Sequence, residues 1–532
     1  IGGYAITPIL PYADVVMKNG AGEYFDIFSV HTYRPISEFP AALRSIRSHL
    51  ERFGAADRPI WFTENGSNME GAGRADGLLP GLKAHSPEQE MLIAEYLPKM
   101  MVIMQFLGVS RDFFFVLPPY NESGGNKDWG LMRRDFSVKP GYAAFATLVD
   151  QLGGAVPEGE VRLGEKLRGF LYRRRDGGKT LVCWSRSELD TEKPRPNLTV
   201  TGLGEQTFAL PPGGNPAGVD LFGTPFAVDP ARVVVTRYPQ FLTGVDHLKA
   251  DIPFRFPAAA VRPAETEGID KTVVFRTELS DDFRLFVGRD CADVKKAGAR
   301  LRLQVWNLSD RAKRGRVAVS GGACAGLPES VVLPPFGRTE LELAFTPELD
   351  GEFKGELRAD GVFDGRRATP LVIPLQSLAE MNSSGRKVEM PQMLDPENWR
   401  RNAAGTMEIR YDENDRAIRF ETKFPTGANR WSYPEYTLQL PQESLEGAIG
   451  IGFEAKVSKP SAVLQMLLMA VPEKGKDVYL KSDAPGGEFR EHFIAFPPGL
   501  DAGGIRKLRL GVNALEDEIS VSVRNIRIFY GR

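Results

Sequence analysis

The sequence predicts a multidomain chain in which an α/β domain is followed by β-sandwiches, and three observations predict this. At 532 residues the chain is too long for one hydrophobic core, and about 150 residues per domain gives three or four domains. The first part alternates short apolar strands with helical stretches, as β/α units around a parallel sheet do. From residue 161 onward, short alternating strands are separated by turns of Gly, Pro and Asp. The expected domains are residues 1–157, 158–246, 250–378 and 390–532.

Composition and charge exclude several classes of function. Lys and Arg number 67 and Asp and Glu number 69, so a net charge of -2 argues against nucleic acid or an anionic membrane as the main partner. No apolar stretch reaches the roughly 18 residues that span a bilayer. The three cysteines are too few for a disulfide scaffold, and pairing of Cys291 with Cys324 stays open. Because the five histidines are scattered, we predict no catalytic metal and no cofactor, leaving a structural cation in the last domain open.

The first domain is predicted to contain strands and helices in alternation. The strands are expected at residues 24–33, 60–64 and 112–117, the helices at 41–53, from Ser86-Pro87 onward and from Lys139 to about residue 152, with a Gly-rich loop at 66–81. Ser followed by Pro and acidic residues is typical of a helix start.

The strand that ends in Glu64 is the centre of this domain. An apolar run from Ile60 stops at this carboxylate, and Asn65-Gly66 turns the chain. Ionising a carboxylate at the mouth of an apolar strand costs free energy unless the charge is used there. The alternative is a strand-end glutamate that is simply solvated. His31 and Tyr33 are two residues apart, so they share a strand face and would reach the carboxylate, which a phenol donor would orient and keep ionised.

The remaining chain is predicted to be all-β. Residues 169–184 read as a hairpin that turns at Asp176-Gly177-Gly178. Residues 301–306 and 338–345 alternate as half-buried antiparallel strands do. Residues 382–385 are predicted to be a polar linker, and 390–532 a further β unit.

Three segments of the first domain resemble strands six to eight of the (β/α)8 barrel of the retaining glycoside hydrolases of clan A. They are residues 26–33 with His31-x-Tyr33, residues 61–66 with Glu64, and the region that ends in residues 129–131 and Lys139-Pro140. The resemblance implies a partial TIM barrel of strands five to eight, with Glu64 as nucleophile and with Tyr33 and His31 positioning it. It also implies substrate contacts from a further set of residues, namely Asn65, Tyr120, Asn121 and Trp129. For Trp129 the alternative is that the indole only packs the loop, and residues 113–115 are expected in the barrel core.

The sequence departs from the family pattern in one respect. The family's acid/base Glu follows an Asn at the end of the fourth strand, and this sequence starts near the fifth. We therefore expect the acid/base on an N-terminal half-barrel segment or chain, since Asn121-Glu122 lies after the eighth strand. A half barrel alone would leave sheet edges and helix faces uncovered.

The later domains resemble accessory modules of such enzymes. Residues 250–378 resemble an immunoglobulin-like spacer, and residues 390–532 resemble a jelly-roll carbohydrate-binding module. In the latter, aromatic residues near turns are candidates for glycan binding, namely Trp431, Tyr433 and Tyr436, alongside Trp399. The alternative is a module that only packs against the barrel.

The sequence-based hypothesis is a retaining β-glycosidase that acts on an oligo- or polysaccharide by double displacement. The alternative is a non-catalytic carbohydrate-binding protein with a degenerate barrel, and a third, weaker reading is a transglycosidase with the same nucleophile. A glycan on the Asn65-Gly66-Ser67 sequon would block the site, so the sequon is expected to be unused, as in a bacterial protein. Because the substrate would be an oligo- or polysaccharide, an extracellular or periplasmic location is expected, and the oligomeric state stays open.

Overall fold

A computed structural model gives the fold of the chain. It describes residues 10–33, 36–66, 87–122, 127–133, 135–186, 204–254, 268–285, 291–425, 430–475, 477–497 and 499–532. Strands outnumber helices among these residues, and most of the sheets are sandwich-like. Contacts divide the chain into two compact units, residues 1–17 with 21–266 and residues 18–20 with 267–532.

The first part of unit 1 is the α/β region. Its elements are α1 (Leu10–Lys18), β1 (Phe28–Thr32), α2 (Phe39–Arg52), β2 (Ile60–Asn65), α3 (Pro87–Phe106), β3 (Arg111–Phe114), β4 (Asn121–Glu122), β5 (Lys127–Asp128) and α4 (Pro140–Leu152). The predicted parallel pairing is present, since β1, β2 and β3 form a three-stranded parallel sheet in that order. The third strand ends at Phe114, earlier than predicted. Ser86 and most of the predicted Gly-rich loop lie outside the described residues.

The two faces of this sheet differ. Buried apolar side chains of β1 and β2, among them Phe28, Val30 and Phe62, pack with residues of α2 and α3 into one core. We call this side the helix face. The other side, the open face, carries Ser29, His31, Trp61, Thr63 and Phe113, because alternate residues of a strand point to opposite faces. The functional candidates therefore lie on the open face.

The second part of unit 1 is a small β-sandwich. Its strands are β6 (Val156–Glu160), β7 (Leu167–Arg173), β8 (Lys179–Ser185), β9 (Gln206–Phe208), β10 (Ala217–Val219), β11 (Pro225–Ala227), β12 (Val233–Val235), β13 (Gln240–Thr243) and β14 (Ile252–Pro253). Seven of them form a sheet in the order β11-β10-β13-β8-β7-β6-β14, and β12 pairs with β9. The predicted hairpin is confirmed as β7 and β8. Phe170 and Trp184 stack at 5.1 Å in the core shared with α3.

Unit 2 begins with a two-sheet sandwich. Its strands are β15 (Ile269–Asp270), β16 (Val273–Leu279), β17 (Phe283–Leu285), β18 (Ala292–Val294), β19 (Ala299–Asn307), β20 (Lys313–Ser320), β21 (Gly322–Ala325), β22 (Val331–Leu333), β23 (Arg338–Pro347), β24 (Lys354–Phe363), β25 (Arg366–Ala368) and β26 (Leu371–Gln376). The predicted antiparallel pairing of residues 301–306 with 338–345 is confirmed, since β19 pairs with β23. Leu303, Val305, Leu341 and Phe345 fill the core between the two sheets.

The predicted polar linker at residues 382–385 is wrong. Its first three residues form the end of helix α5 (Leu378–Ser384). Ser377 caps this helix by accepting a hydrogen bond from the Glu380 N–H, and Leu378 and Met381 pack into a small apolar core with Phe493 and Phe529. The polar sequence showed no sign of this helix, which is stabilised by its N-terminal cap and by two buried side chains.

Unit 2 ends in a second, larger two-sheet sandwich. Its strands are β27 (Arg386–Glu389), β28 (Trp399–Arg400), β29 (Thr406–Asp412), β30 (Ala417–Lys423), β31 (Trp431–Ser432), β32 (Glu435–Thr437), β33 (Ala448–Val457), β34 (Val463–Pro472), β35 (Val478–Asp483), β36 (Arg490–Ala495), β37 (Ile505–Ala514) and β38 (Glu518–Tyr530). One sheet follows the order β29-β30-β38-β33-β36 and the other the order β28-β32-β37-β34-β35. Leu468, Leu508, Leu510 and Val512 point inward from the second sheet into the core.

Two negative observations complete the description of the fold. None of the helices in the described ranges is long and apolar enough to cross a membrane. None of the three cysteines forms a disulfide bond, so Cys291 and Cys324 are not joined to each other.

Candidate functional site

The candidate site is centred on Glu64 at the exit of β2. The Tyr33 hydroxyl donates to Glu64 Oε2 at 2.5 Å, and His31 Nδ1 lies 3.2 Å from the same oxygen. Within the described part of the chain, Glu64 Oε1 has no hydrogen-bond partner. The Glu64 side chain is 36% exposed. One carboxylate oxygen is therefore anchored and the other is available for chemistry.

A β-bulge aims Glu64 at the open face. Val30 pairs with Phe62, but the next residue, His31, pairs with Glu64, so β2 contains one extra residue, Thr63. The pairing of β2 with β3 shifts over the same stretch. Thr63 and Ser29 share a 2.7 Å hydroxyl–hydroxyl bond on the open face. Strict alternation would turn the residue after Thr63 towards the helices, whereas the bulge places Glu64 beside His31.

Asn65 lies on the opposite side of the strand from Glu64, which corrects its predicted role as a substrate contact. Its side chain is 0% exposed. The amide nitrogen donates to both carboxylate oxygens of Asp112, at 3.1 and 3.2 Å. A side chain without exposed surface cannot touch a substrate directly. Asn65 therefore acts on the site only through the backbone it holds.

The backbone after Asn65 is in close contact with the end of β3. The Phe115 N–H donates to the Asn65 carbonyl at 2.7 Å. A Cβ on Gly66 would lie 2.5 Å from the Phe115 carbonyl oxygen, so only glycine fits here. This close approach fixes where β2 ends relative to β3.

Asp112 is the functional candidate that the sequence reasoning missed. It lies on the helix face opposite Phe62 and near Tyr96 of α3. Burial raises the pKa of Asp112 to about 7, against the smaller opposing effects of hydrogen bonds from Asn65 and the Phe113 backbone. The Asp112 charge and, above all, burial raise the pKa of Tyr96 as well. The available signal was a carboxylate directly before the apolar run Phe113-Phe114-Phe115 of this strand region.

We expect Asp112→Asn to change the pH dependence of stability. Between its usual pKa of 3.8 and its folded value of about 7, Asp112 keeps a proton in the folded state that the unfolded state has released. The free energy of unfolding therefore falls as pH rises through this window, by up to about 1.4 kcal/mol per pH unit. The asparagine variant lacks this decline, so urea unfolding should show it gaining stability relative to the wild type from pH 4 to 7 and no further gain above.

The control is Asp150→Asn, which removes an exposed carboxylate of α4 from the same unit. Its stability difference from the wild type should be flat over the same pH window. Parallel curves for both variants would show that Asp112 is ionised in the same way in the folded and unfolded chains.

Aromatic side chains pack behind Tyr33. The Trp129 ring meets the Tyr33 ring at 4.7 Å in an edge geometry, and Phe115 lies 6.4 Å from Tyr33. Trp129 is only 8% exposed, which corrects its predicted role as a substrate contact and agrees with the packing alternative. Tyr120 is exposed and packs against Phe115 at 5.3 Å, so among the predicted contacts whose side chains the structure describes it presents an open surface.

Two further predictions from this region have different outcomes. The expectation that residues 113–115 lie in the core is wrong for Phe113, which is 48% exposed on the open face, 6.0 Å from the Trp61 ring. The backbone of Asn121 lies in β4, paired with Asp128, and its side chain lies outside the described part of the structure.

The last sandwich holds a second candidate site. Trp431 and Tyr433 stack with ring centroids 5.6 Å apart and an interplanar angle of 17°. Both lie on the face of the sheet opposite to its core, where Trp431 pairs with Asn513 and the Tyr433 hydroxyl donates to the Asn513 side chain. We call this surface the outer aromatic face. Burial, together with Tyr479, raises the pKa of Tyr433 to about 12 against the opposing Asn513 bond. Tyr479 lies on the same surface, because its strand partner Met469 pairs with Arg509, which faces away from the core.

Tyr436, the third predicted residue, does not belong to this face. It is 0% exposed, packs on Trp399 at 5.4 Å and donates to Glu443. Tyr433 and Tyr436 are three residues apart, so in extended backbone they point to opposite faces. Sequence reasoning missed Tyr479, because it is brought here by β35, a strand remote from Trp431 in sequence.

The described residues contain no group of three or more His, Cys, Asp or Glu side chains arranged to hold a metal ion.

The comparisons with known proteins are of limited extent. No protein-family model matches the sequence, and no curated protein matches it. Among solved structures, one similar chain is a family 39 glycoside hydrolase from the gut symbiont Bacteroides cellulosilyticus, at 17% identity and a TM-score of 0.31. The match covers 43% of this chain and 46% of that enzyme, so this chain spans less than half of its length.

Two further structural neighbours match smaller regions. A family 11 carbohydrate-binding module from Clostridium thermocellum matches over 28% of this chain and 97% of the module, with 17% identity and a TM-score of 0.22. An agarase matches over 28% of this chain and 25% of its own, with 14% identity and a TM-score of 0.21. These three neighbours are two glycoside hydrolases and a carbohydrate-binding module, and the proposed function rests on the geometry of the sites.

Proposed function

We propose that this chain carries the nucleophile side of a retaining β-glycosidase. The observation that carries the proposal is the anchoring of Glu64 Oε2 by Tyr33 at 2.5 Å and by His31 at 3.2 Å, at the carboxyl end of a strand in a parallel sheet. Active residues of (β/α)8 enzymes lie at that end of the strands. The sheet and its helices are proposed to be strands of such a barrel, as the resemblance to clan A implies.

In the proposed mechanism, Glu64 Oε1 attacks the anomeric carbon and the leaving oxygen departs with a proton. The resulting glycosyl–Glu64 ester is then hydrolysed by water, with retention of configuration. Tyr33 and His31 hold Oε2, so the carboxylate is already oriented before the attack and loses little conformational entropy in it. Loops and subsites, rather than the fold, determine which sugar such a site accepts.

The proton donor is proposed to come from elements that cover the open face. A retaining enzyme needs a second carboxyl about 5–5.5 Å from the nucleophile. Parallel sheets are normally covered on both sides, yet Phe113 is exposed and Trp61 is only partly covered on this face. A further β/α segment, of the same protein or of a second chain, would bury these rings and place the acid/base near Glu64. With a polysaccharide as substrate, the proposed location is extracellular or periplasmic.

The test is the anomeric configuration of the first product. 2,4-Dinitrophenyl β-glycosides of common hexoses and pentoses have a leaving group that departs without a proton, so the first step proceeds without the acid/base. Proton NMR of the full chain with this panel should show the β-anomer forming before mutarotation. Release of the α-anomer first would contradict a retaining mechanism, and absence of turnover across the panel would favour the non-catalytic alternative.

A second candidate function is glycan binding by the last sandwich, which the stacked Trp431–Tyr433 pair favours. Aromatic faces pack on the apolar faces of sugar rings, and the neighbouring Asn513 side chain is polar. Such binding needs no catalysis, so it stands whether or not Glu64 is a nucleophile.

We expect Trp431→Ala to weaken glycan binding by roughly tenfold or more, since stacking on an aromatic ring is worth about 1–2 kcal/mol. Isothermal titration with soluble β-glucan and xylan oligosaccharides measures this. The matched control is Trp306→Ala in the preceding sandwich, where the indole lies under Arg338 at 4.8 Å. Equal affinities for Trp431→Ala and the wild type would exclude the outer aromatic face as a binding site.

A further inference from the structure

The position of Glu64 depends on the bulge in β2, and such a bulge must be stabilised by neighbouring contacts against a shift of register. Thr63 is the extra residue, and the hydrogen-bond ladder is shifted on both sides of it. On the open face, Thr63 bonds to Ser29, a neutral pair of small hydroxyls. A strand that slipped by one residue would carry Glu64 to the other face of the sheet.

A second side-chain contact next to the bulge lies on the helix face. Asn65 follows Glu64 directly, and its amide meets both oxygens of Asp112 on the adjacent strand. Asn65 is fully buried, and no cation is among the partners of Asp112 in the described residues. Asp112 is half-buried, and a half-buried carboxyl without a cation is costly, so its presence here calls for a role that an apolar residue cannot fill.

We propose that Asp112 is a positioning residue for Glu64, acting through Asn65 to lock the bulge of β2. The Asn65–Asp112 pair fixes the residue after Glu64 on the helix face, and this leaves the Glu64 side chain on the open face. There it meets Tyr33 and His31. The role of Asp112 in catalysis rests on the proposed function, whereas its effect on the geometry of Glu64 does not.

The pair also fits the surrounding backbone. Phe115 donates to the Asn65 carbonyl, and the Tyr96 hydroxyl donates to the Gly66 carbonyl at 3.4 Å. Side-chain and main-chain bonds thus converge on the two residues that follow Glu64. Such a set positions a functional group to within a few tenths of an ångström only when all its members are present.

The test compares three variants of the full chain. Asp112→Leu removes the acceptors and replaces them with a larger, branched apolar side chain. Asp112→Asn keeps one acceptor oxygen for Asn65. Ile60→Val trims a buried side chain of the same strand, before the bulge, and serves as the matched control for a general loss of packing.

The first readout is the Tyr33–Glu64 hydrogen bond, which a merely structural role for Asp112 would not move. The ¹³Cζ resonance of Tyr33, assigned among the 14 tyrosines by its loss in Tyr33→Phe, reports this bond. We expect its shift to change in Asp112→Leu and to remain at the wild-type position in Asp112→Asn and Ile60→Val. An unchanged Tyr33 resonance in a folded Asp112→Leu protein would overturn the proposal.

The second readout is the rate at which a 2-deoxy-2-fluoroglycoside labels the protein. A misplaced nucleophile should react roughly 100-fold more slowly in Asp112→Leu, with rescue in Asp112→Asn. If the wild type is not labelled, the proposed function fails while the Tyr33 resonance still decides the positioning role. If Asp112→Leu does not fold, Asn65→Ala cuts the same link from the other side and is expected to give the same change.

Discussion

Replacing Glu64 by alanine is expected to lower kcat on a 2,4-dinitrophenyl β-glycoside by roughly 10⁴-fold or more, because nucleophile removal leaves only binding and orientation. The side chain is partly exposed and its contacts run to Tyr33 and His31, so its removal leaves the buried core intact. Circular dichroism and the thermal midpoint should match those of the wild type. Steady-state kinetics with the substrate that the wild type turns over best is the measurement.

Azide separates loss of the nucleophile from loss of the site. In Glu64→Ala, a small anion can occupy the vacated space and attack the anomeric carbon from the same side. The expected product is a glycosyl azide of inverted configuration, with partial recovery of the rate. Glu51→Ala, an exposed carboxylate on α2, is the matched control and should keep wild-type kinetics. Unchanged turnover in Glu64→Ala would remove Glu64 from the mechanism.

Replacing Glu95 by glutamine is expected to destabilise unit 1 by about 3–5 kcal/mol. Glu95 and Lys99 are one turn apart on α3 and fully buried, with Lys99 Nζ 2.8 Å from Glu95 Oε1. Arg237, from the small sandwich, meets the other oxygen at 2.6 Å. The carboxylate therefore sits between two buried cations. Its loss removes the carboxylate that both buried cations contact, which is the costly way to break a buried ion pair.

The pH dependence of this effect has a definite sign. Burial by itself raises the pKa of Glu95, but Lys99 and Arg237 outweigh it and lower the pKa below the usual 4.5. The stabilisation is therefore complete above about pH 4.5 and is lost as pH falls through the folded value. Urea unfolding at pH 7 and at pH 3 should show a large difference between Glu95→Gln and the wild type at pH 7 and a smaller one at pH 3.

The control for Glu95 is another carboxylate held by two cations. Glu158 contacts Arg173 at 3.2 Å and Lys179 at 3.0 Å, but all three side chains are more exposed. Because water solvates these charges, Glu158→Gln should cost at most about 1 kcal/mol. A cost of that size for Glu95→Gln as well would mean that its ion pairs do not hold α3 to the sandwich.

The sequence predicted those contacts of Glu64 that depend on spacing along a single strand. His31 and Tyr33 share a face because they are two residues apart, and the stop of an apolar run placed Glu64 at a strand exit. Asn65 and Tyr436 were misassigned for a single physical reason. The face of a side chain depends on the register of its strand, and one inserted residue or a spacing of three reverses it.

Features that depend on contacts remote in sequence were beyond prediction. The bulge at Thr63 is defined by the pairing of β2 with its two neighbours, which the sequence of one strand does not show. The role of Asp112 follows from its contact with Asn65, which lies on a different strand. Tyr479 joins Tyr433 through strand order in a sheet. Apolar alternation predicted the sandwiches well, since burial of one face is a local signal.

The most direct test of Glu64 as nucleophile is covalent trapping with 2,4-dinitrophenyl 2-deoxy-2-fluoro-β-glycosides. The fluorine slows both steps, and the reactive leaving group keeps the first step fast enough for the ester to accumulate. Intact mass followed by peptide mapping should show one fluorosugar per chain, attached to the peptide that contains Glu64 and absent from Glu64→Ala. A label on another residue, or equal labelling of Glu64→Ala, would contradict the assignment.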